Sequence, residues 1–138
     1  LNRRGFLREL ARARTFAQRY GSPASLVYFD LDGFKAINDR HGHAAGDSAL
    51  KTVADRLLAN IRESDIVGRM GGDEFALVLV QADQATAEAK AAALADAVQR
   101  EPVAFEGGTA RIGISYGVRE IAPDADGVER ADAQVAAG

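Results

Sequence analysis

Cysteine is missing from all 138 residues, so disulfides and thiolate metal sites are excluded, and the absence is compatible with a reducing cytosol. A basic excess is missing too. Seventeen Lys and Arg stand against 20 Asp and Glu, a net charge of −3, so no polycationic surface recruits nucleic acid. Arg3, Arg4, Arg8, Arg12 and Arg14 are dispersed along one helix and read as its solvated face. The longest unbroken run of large apolar residues is Phe75–Val80, far below the roughly 18 residues a membrane span needs. Neither a linker nor an internal repeat interrupts the chain. What is present, 47% hydrophobic and 27% charged residues, suits one globular domain with its own core. The chain opens in mid-helix and ends at Ala-Ala-Gly, so the expectation for 1–138 is a single domain excised from a longer protein and truncated at both ends.

Periodicity supplies the elements. Phe6, Leu7, Leu10, Ala17 and Tyr20 mark one side of a helix over about residues 2–20, closed by Gly21-Ser22-Pro23. Ser25–Leu31 is a continuous apolar strand, buried on both faces. Phe34–Asp39 suits a short helix, and Leu50, Val53, Ala54, Leu57, Leu58 and Ile61 mark an amphipathic one. Residues 38–47 read as a polar loop between these two helices. Ile66–Met70 and Glu74–Val80 form a hairpin across Gly71-Gly72, followed by an alanine-rich helix over Asp83–Arg100. Thr109–Glu120 alternates like a strand with one buried face, and a weak helix is expected from Val128. Strands interleaved with helices and one central hairpin predict an α/β (α+β) sandwich, a mixed central sheet flanked by helices. In that layout the end of the first strand neighbours the hairpin tip, which brings Asp30 within reach of Asp73.

Two acidic strand ends carry the chemistry. Gly71-Gly72-Asp73-Glu74 sits at the foot of an apolar strand, and Tyr28-Phe29-Asp30-Leu31-Asp32-Gly33 has the same character. The paired glycines permit left-handed backbone and close approach of a ligand. Paired carboxylates are unfavourable unless a cation is held there. Magnesium takes hard oxygen ligands, commonly one or two carboxylates plus phosphates, so Asp30, Asp73 and a carbonyl near Leu31 fit a magnesium-dependent phosphoryl-transfer site. Lys35, one turn beyond, is placed to meet phosphate. The bland alternative is a plain turn at Asp32-Gly33 and a polar strand cap at Asp73-Glu74. Asn38 and Asp47 offer complementary chemistry for a purine edge. A carboxylate accepts two N–H donors, which guanine presents and adenine lacks. Asp47 can equally cap the following helix. His41 and His43 have no third ligand nearby, which disfavours zinc.

These motifs, with Leu1-Asn2-Arg3-Arg4 and Phe6, Phe34-Lys35, Ile37-Asn38-Asp39, Gly42-His43, Gly46-Asp47 and Gly71-Gly72-Asp73-Glu74-Phe75, resemble the GGDEF domains of bacterial diguanylate cyclases over nearly the whole length. The resemblance implies condensation of two GTP into cyclic di-GMP with release of pyrophosphate. The implied fold is ferredoxin- or palm-like, similar to adenylyl cyclase catalytic domains. It implies that Asp30, the Leu31 carbonyl, Asp73 and Glu74 hold Mg2+, with Mn2+ as a substitute. Asp73 and Glu74 are then the catalytic residues. Asn38, Asp47 and His43 would contact guanine, while Phe34, Lys35, Gly71 and Gly72 complete the substrate site. A second such domain is implied as the partner for turnover, with no nucleic acid and no membrane contact from this domain. The implied location is cytoplasmic, any membrane anchor lying in other domains. Arg62-Glu63-Ser64-Asp65 fits the family's RxxD inhibitory product site, with an ordinary Arg–Asp surface pair as the alternative.

The tail departs from the family pattern ADxALYxAKxxGRN. Ala131-Asp132 begins it, Ala136 stands where Tyr is expected, and the sequence stops before the phosphate-binding Lys. The alternative to a cyclase is therefore a catalytically silent domain acting as a cyclic di-GMP or GTP receptor. A cyclase making an adenine or mixed dinucleotide is disfavoured by Asp47.

Overall fold

The computed structural model describes residues 2–105 and 107–121. Helix α1 (Arg3–Tyr20) begins where the Asn2 side chain accepts a hydrogen bond from the Gly5 N–H at 2.8 Å and ends at Gly21, left-handed at φ 65°. Glycine tolerates that conformation without a Cβ clash. Strand β1 (Ala24–Asp32) leads into α2 (Phe34–His41) and α3 (His43–Ala59). Strands β2 (Ile66–Arg69) and β3 (Glu74–Val80) form the hairpin, α4 (Gln84–Gln99) returns, and β4 (Val103–Phe105), β5 (Gly108–Ala110) and β6 (Gly113–Ile121) follow.

The main sheet runs β2-β3-β1-β6, and β4 and β5 pair separately. Its two faces hold two cores. Phe6 and Leu10 of α1 pack with Leu26, Ala76, Val78 and Ile121 on one side. Val27, Phe29, Phe75, Leu77 and Leu79 pack against α3 and α4 on the other. Alternate residues of β1 and β3 thus feed opposite cores, which is why both strands read as unbroken apolar runs. Each fully buried Leu or Phe contributes about 1.5–3 kcal/mol by leaving water. α1 sits close because Gly68 has no side chain: a Cβ there would lie 2.7 Å from the Phe6 Cβ.

The α+β sandwich is the one expected, but all three ladders are antiparallel where a mixed sheet was predicted. Each helical crossover does join parallel strands, β1 to β2 and β3 to β6. In the observed order those strands are never neighbours, because β3 lies between the first pair and β1 between the second. Two interlocked split βαβ units therefore produce antiparallel ladders throughout.

Three local expectations are corrected. Residues 38–47 are almost wholly helical: α2 runs to His41 and α3 starts at His43, with Gly42 (φ 92°) alone making the corner. The polar residues that suggested a loop are the solvent side of two helix ends, while Ala45, Gly46 and Ala49 face inward. The strand expected over Thr109–Glu120 is split, its first part pairing with β4 as a small hairpin. Gly71 and Gly72 do not adopt left-handed backbone, so conformational freedom is not why glycine stands there. The helix expected from Val128 and the tail residues Ala131, Asp132 and Ala136 lie outside the described residues. No helix among the described residues is long and apolar enough to cross a membrane.

Candidate active site

The β1–β3 register places Asp30 directly opposite Glu74. Asp73 precedes β3, and its carbonyl accepts the Leu31 N–H at 3.0 Å, which ties the hairpin tip to the end of β1. One carboxylate oxygen from each of Asp30, Asp73 and Glu74 falls within 4.8 Å of the others. Like charges facing each other across a ladder are unfavourable. Burial, then Asp73, then Asp32, pushes the Asp30 carboxyl above its ordinary range. Glu74 is raised by burial, Asp30 and Asp73, with Arg3 opposing. No ion pair among the described residues neutralises the three. Three hard oxygen donors from two strand ends, converging without an ion pair among the described residues, fit a divalent ion of the magnesium type.

Around this cluster the glycines leave space: a Cβ on Gly72 would meet nothing within 4 Å, and one on Gly71 only the Glu74 carboxylate at 3.9 Å. Open backbone beside clustered acids is what close approach of a polyphosphate needs. Lys35 is exposed on the first turn of α2, which starts at Gly33 (φ 84°). Phe34, its neighbour, is buried in the core and supports this corner from beneath.

Asn38 and Asp47 come together through a glycine. The Asn38 amide lies against Gly46, so close that a Cβ at that position would overlap its Oδ1. That buried Oδ1 has no hydrogen-bond partner among the described residues. Asp47 follows directly on α3, exposed and well inside the helix, so it is not the cap; Gly42 takes that position without a side-chain hydrogen bond. His43 is exposed one turn earlier, on the same side as Asp47. A cleft of about 690 Å³ opens between α3 and β2, lined by Asp47, Leu50, Lys51, Arg69 and Phe75 among others. The carboxylate cluster is outside that lining but adjoins it through the Glu74–Phe75 step of β3.

Arg62 and Asp65 form an internal clamp. The Asp65 side chain is 0% exposed and accepts from the Arg62 backbone N–H at 3.1 Å, Nε at 3.4 Å and Nη2 at 3.2 Å. Nη2 also donates to the Val80 carbonyl at 2.6 Å, tying the α3–β2 turn to the end of β3. The carboxylate is enclosed, while the Arg62 side chain stays 55% exposed.

Sequence reasoning missed Gly46 and Arg69. A glycine inside a helix costs about 1 kcal/mol against alanine, so its presence within Gly42–Gly46-Asp47 was the available sign of close packing. Arg69 gave no signal in the pattern of apolar residues; its role emerges only from its contacts.

A family model described as "Diguanylate cyclase, GGDEF domain" matches residues 1–136. The "Probable diguanylate cyclase DgcE" of Escherichia coli K12 is 43% identical over 94 residues, 68% of this chain and 8% of that protein. The chain thus spans a small part of that relative's length. Among solved structures, a sensory box/GGDEF family protein of Caulobacter crescentus superposes with a TM-score of 0.85 at 33% identity, covering 98% of this chain and 89% of that one. The GGDEF domain of DgcB from Caulobacter crescentus, in complex with c-di-GMP, superposes with a TM-score of 0.86 at 29% identity, covering 99% and 83%.

Proposed function

The chain belongs to the GGDEF family of diguanylate cyclase domains, and on that premise we propose that it joins two GTP molecules into cyclic di-GMP. The convergence of Asp30, Asp73 and Glu74 carries this reading, since a plain turn has no use for three carboxylates in mutual repulsion. In each half-reaction a ribose 3′-oxygen bonds to the α-phosphorus of the other GTP. The α–β phosphoanhydride breaks, and pyrophosphate leaves.

Asp30, the Leu31 carbonyl, Asp73 and Glu74 are the residues that would hold Mg2+ or Mn2+, which supplies Lewis-acid polarisation of phosphoryl oxygen when bound. Asp73 accepts the proton of the attacking hydroxyl, and Lys35 with the Gly71-Gly72 backbone steadies the triphosphate. Asp47 accepts the N1–H and N2–H donors of guanine, while the Asn38 amide, pinned on Gly46, reads the adjoining edge, with His43 at the rim. Each chain binds one GTP, so two must face each other to align hydroxyl and phosphorus. Product feedback through Arg62 belongs to the same proposal. Its exposed guanidinium face suits guanine and phosphate, whereas Asp65 joins only if the clamp opens.

The test is incubation with GTP and Mg2+, as the chain stands and fused to a dimerising helix, followed by chromatography. Cyclic di-GMP from the dimerised chain supports the proposal. If the dimerised chain yields none while still binding cyclic di-GMP, it is a receptor and not a cyclase.

A further inference from the structure

Arg69, the last residue of β2, is the charged side chain closest in sequence to the hairpin tip that the reading above leaves without a task. Its Nε donates to the Gly71 carbonyl at 3.1 Å and its Nη2 to the Gly72 carbonyl at 3.1 Å. On the far side of the tip the Asp73 carbonyl takes the Leu31 N–H at 3.0 Å, and the Glu74 carbonyl takes the Met70 N–H at 2.9 Å. Four successive carbonyls, from residue 71 to residue 74, are thus fixed, two of them by one guanidinium.

The geometry of the fork matters. Nε and Nη2 lie in one rigid plane, so they can meet two neighbouring carbonyls only when the intervening peptide holds one orientation. Among the described residues, no other group donates a hydrogen bond to either glycine carbonyl. Two adjacent glycines are the loosest backbone available, and a Cβ on Gly72 would meet nothing within 4 Å. Asp73 follows immediately, so the orientation of the Gly71-Gly72 segment sets where its carboxylate points.

We propose that Arg69 is a positioning residue for the acidic cluster: by gripping both glycine carbonyls it orders the tip in advance, so that Asp73 meets Asp30 and Glu74 without an ordering cost when an ion arrives. The inference rests on the reading of those three carboxylates as a metal site. Its closest competitor is direct contact between Arg69 and substrate, because the residue also lines the cleft beside Asp47. The two differ in what is lost with the guanidinium. A positioning role loses metal affinity even without nucleotide, whereas a substrate contact loses nucleotide affinity alone.

The experiment is Mn2+ titration of the chain, followed by the paramagnetic signal of free ion, for wild type, Arg69→Ala and Arg69→Lys. Binding of a non-hydrolysable GTP analogue is measured in parallel. Arg69→Ala should weaken Mn2+ binding about tenfold, the scale of removing a group that orients a metal ligand. Arg69→Lys should fall between, since an ammonium reaches one carbonyl at a time, and added guanidinium ion should restore part of the alanine variant's loss. If Arg69→Ala fails to fold, Arg69→Lys and its Mn2+ affinity carry the test. Unchanged Mn2+ affinity in the variants overturns the inference, whether or not the analogue binds more weakly. Absence of Mn2+ binding by wild type removes the metal reading itself, a result distinct from an unchanged ratio between wild type and variant.

Discussion

Asp73→Asn takes one negative charge out of a cluster in which Asp73 raises the proton affinity of both Asp30 and Glu74, beside the larger effect of burial on each. The substitution removes a proposed metal ligand and a like-charge repulsion at once, so activity and stability should separate. Product formation should vanish, while the melting temperature in chelator at pH 7 stays level or rises slightly. The sign of the pH effect follows from the same two shifts. A carboxyl raised above its ordinary value, 3.8 for Asp30 and 4.5 for Glu74, favours the folded state while protonated. That contribution is complete below the ordinary value and is lost as pH climbs through the raised one. Metal-free wild type should therefore lose stability from these groups as pH rises out of the acid range. Asp73→Asn should lose less, and Mg2+ should raise the melting temperature of wild type alone at neutral pH. Thermal scans across pH, with and without Mg2+, check all three; a variant that still responds to Mg2+ would remove Asp73 from the ion's ligands.

Gly46→Ala tests the neighbouring pair. In an ordinary exposed helix the change would stabilise by about 0.5–1 kcal/mol. Here the new methyl occupies the place of the Asn38 Oδ1, so that amide must move from its present position. The expected result is a KM for GTP raised about tenfold, the order of one lost base-reading contact, with narrower discrimination against ATP. Initial rates with both nucleotides measure it, and an unchanged GTP/ATP ratio would reduce Gly46 to a packing glycine.

At the scale of elements, β1 and the β2–β3 hairpin were legible because runs such as Ser25–Leu31 and Phe75–Val80 are long and apolar, each with glycine just beyond its acidic end. Once those strands are neighbours, an antiparallel register brings Asp30 opposite Glu74, so the convergence of the acids could be read before any coordinates. The α2–α3 corner was not legible. One glycine separates two helices whose exposed ends are polar, and composition alone makes that a loop. Strands β4 and β5 have three residues each, too few for any period to show. The Arg62–Asp65 spacing was visible, but not that Asp65 would be enclosed. That enclosure changes what Arg62→Ala should do. The carboxylate keeps the Arg62 backbone N–H and loses both guanidinium contacts, and the tie to the Val80 carbonyl goes as well. A loss of about 1–3 kcal/mol in chemical denaturation is expected, together with weaker inhibition by cyclic di-GMP. Weaker inhibition without destabilisation would mean that the clamp contributes little to the fold; destabilisation with unchanged inhibition would confine Arg62 to the clamp.

For the whole molecule, the decisive quantity is how activity depends on protein concentration. Asp30, Asp73 and Glu74 form one cluster in one chain, and Asn38 with Asp47 make the one base-reading pair proposed for it. A reaction joining two nucleotides end to end requires two of each, with each hydroxyl held near the opposite phosphorus. Orientation of that kind is worth several kcal/mol when pre-arranged and is absent when half-sites meet only by collision. If the free chain is largely monomeric, rate should follow the square of its concentration, and tenfold dilution should lower activity per chain about tenfold. Fusion to a dimerising helix replaces that dependence with an effective concentration in the millimolar range, so activity per chain should become flat on dilution. Mixing the fused wild type with fused Asp73→Asn should then depress activity beyond simple dilution, because a mixed pair lacks one of two required half-sites. A fused chain whose activity per wild-type subunit is indifferent to such mixing would show that one domain completes the chemistry alone, and the facing-pair arrangement would have to be abandoned.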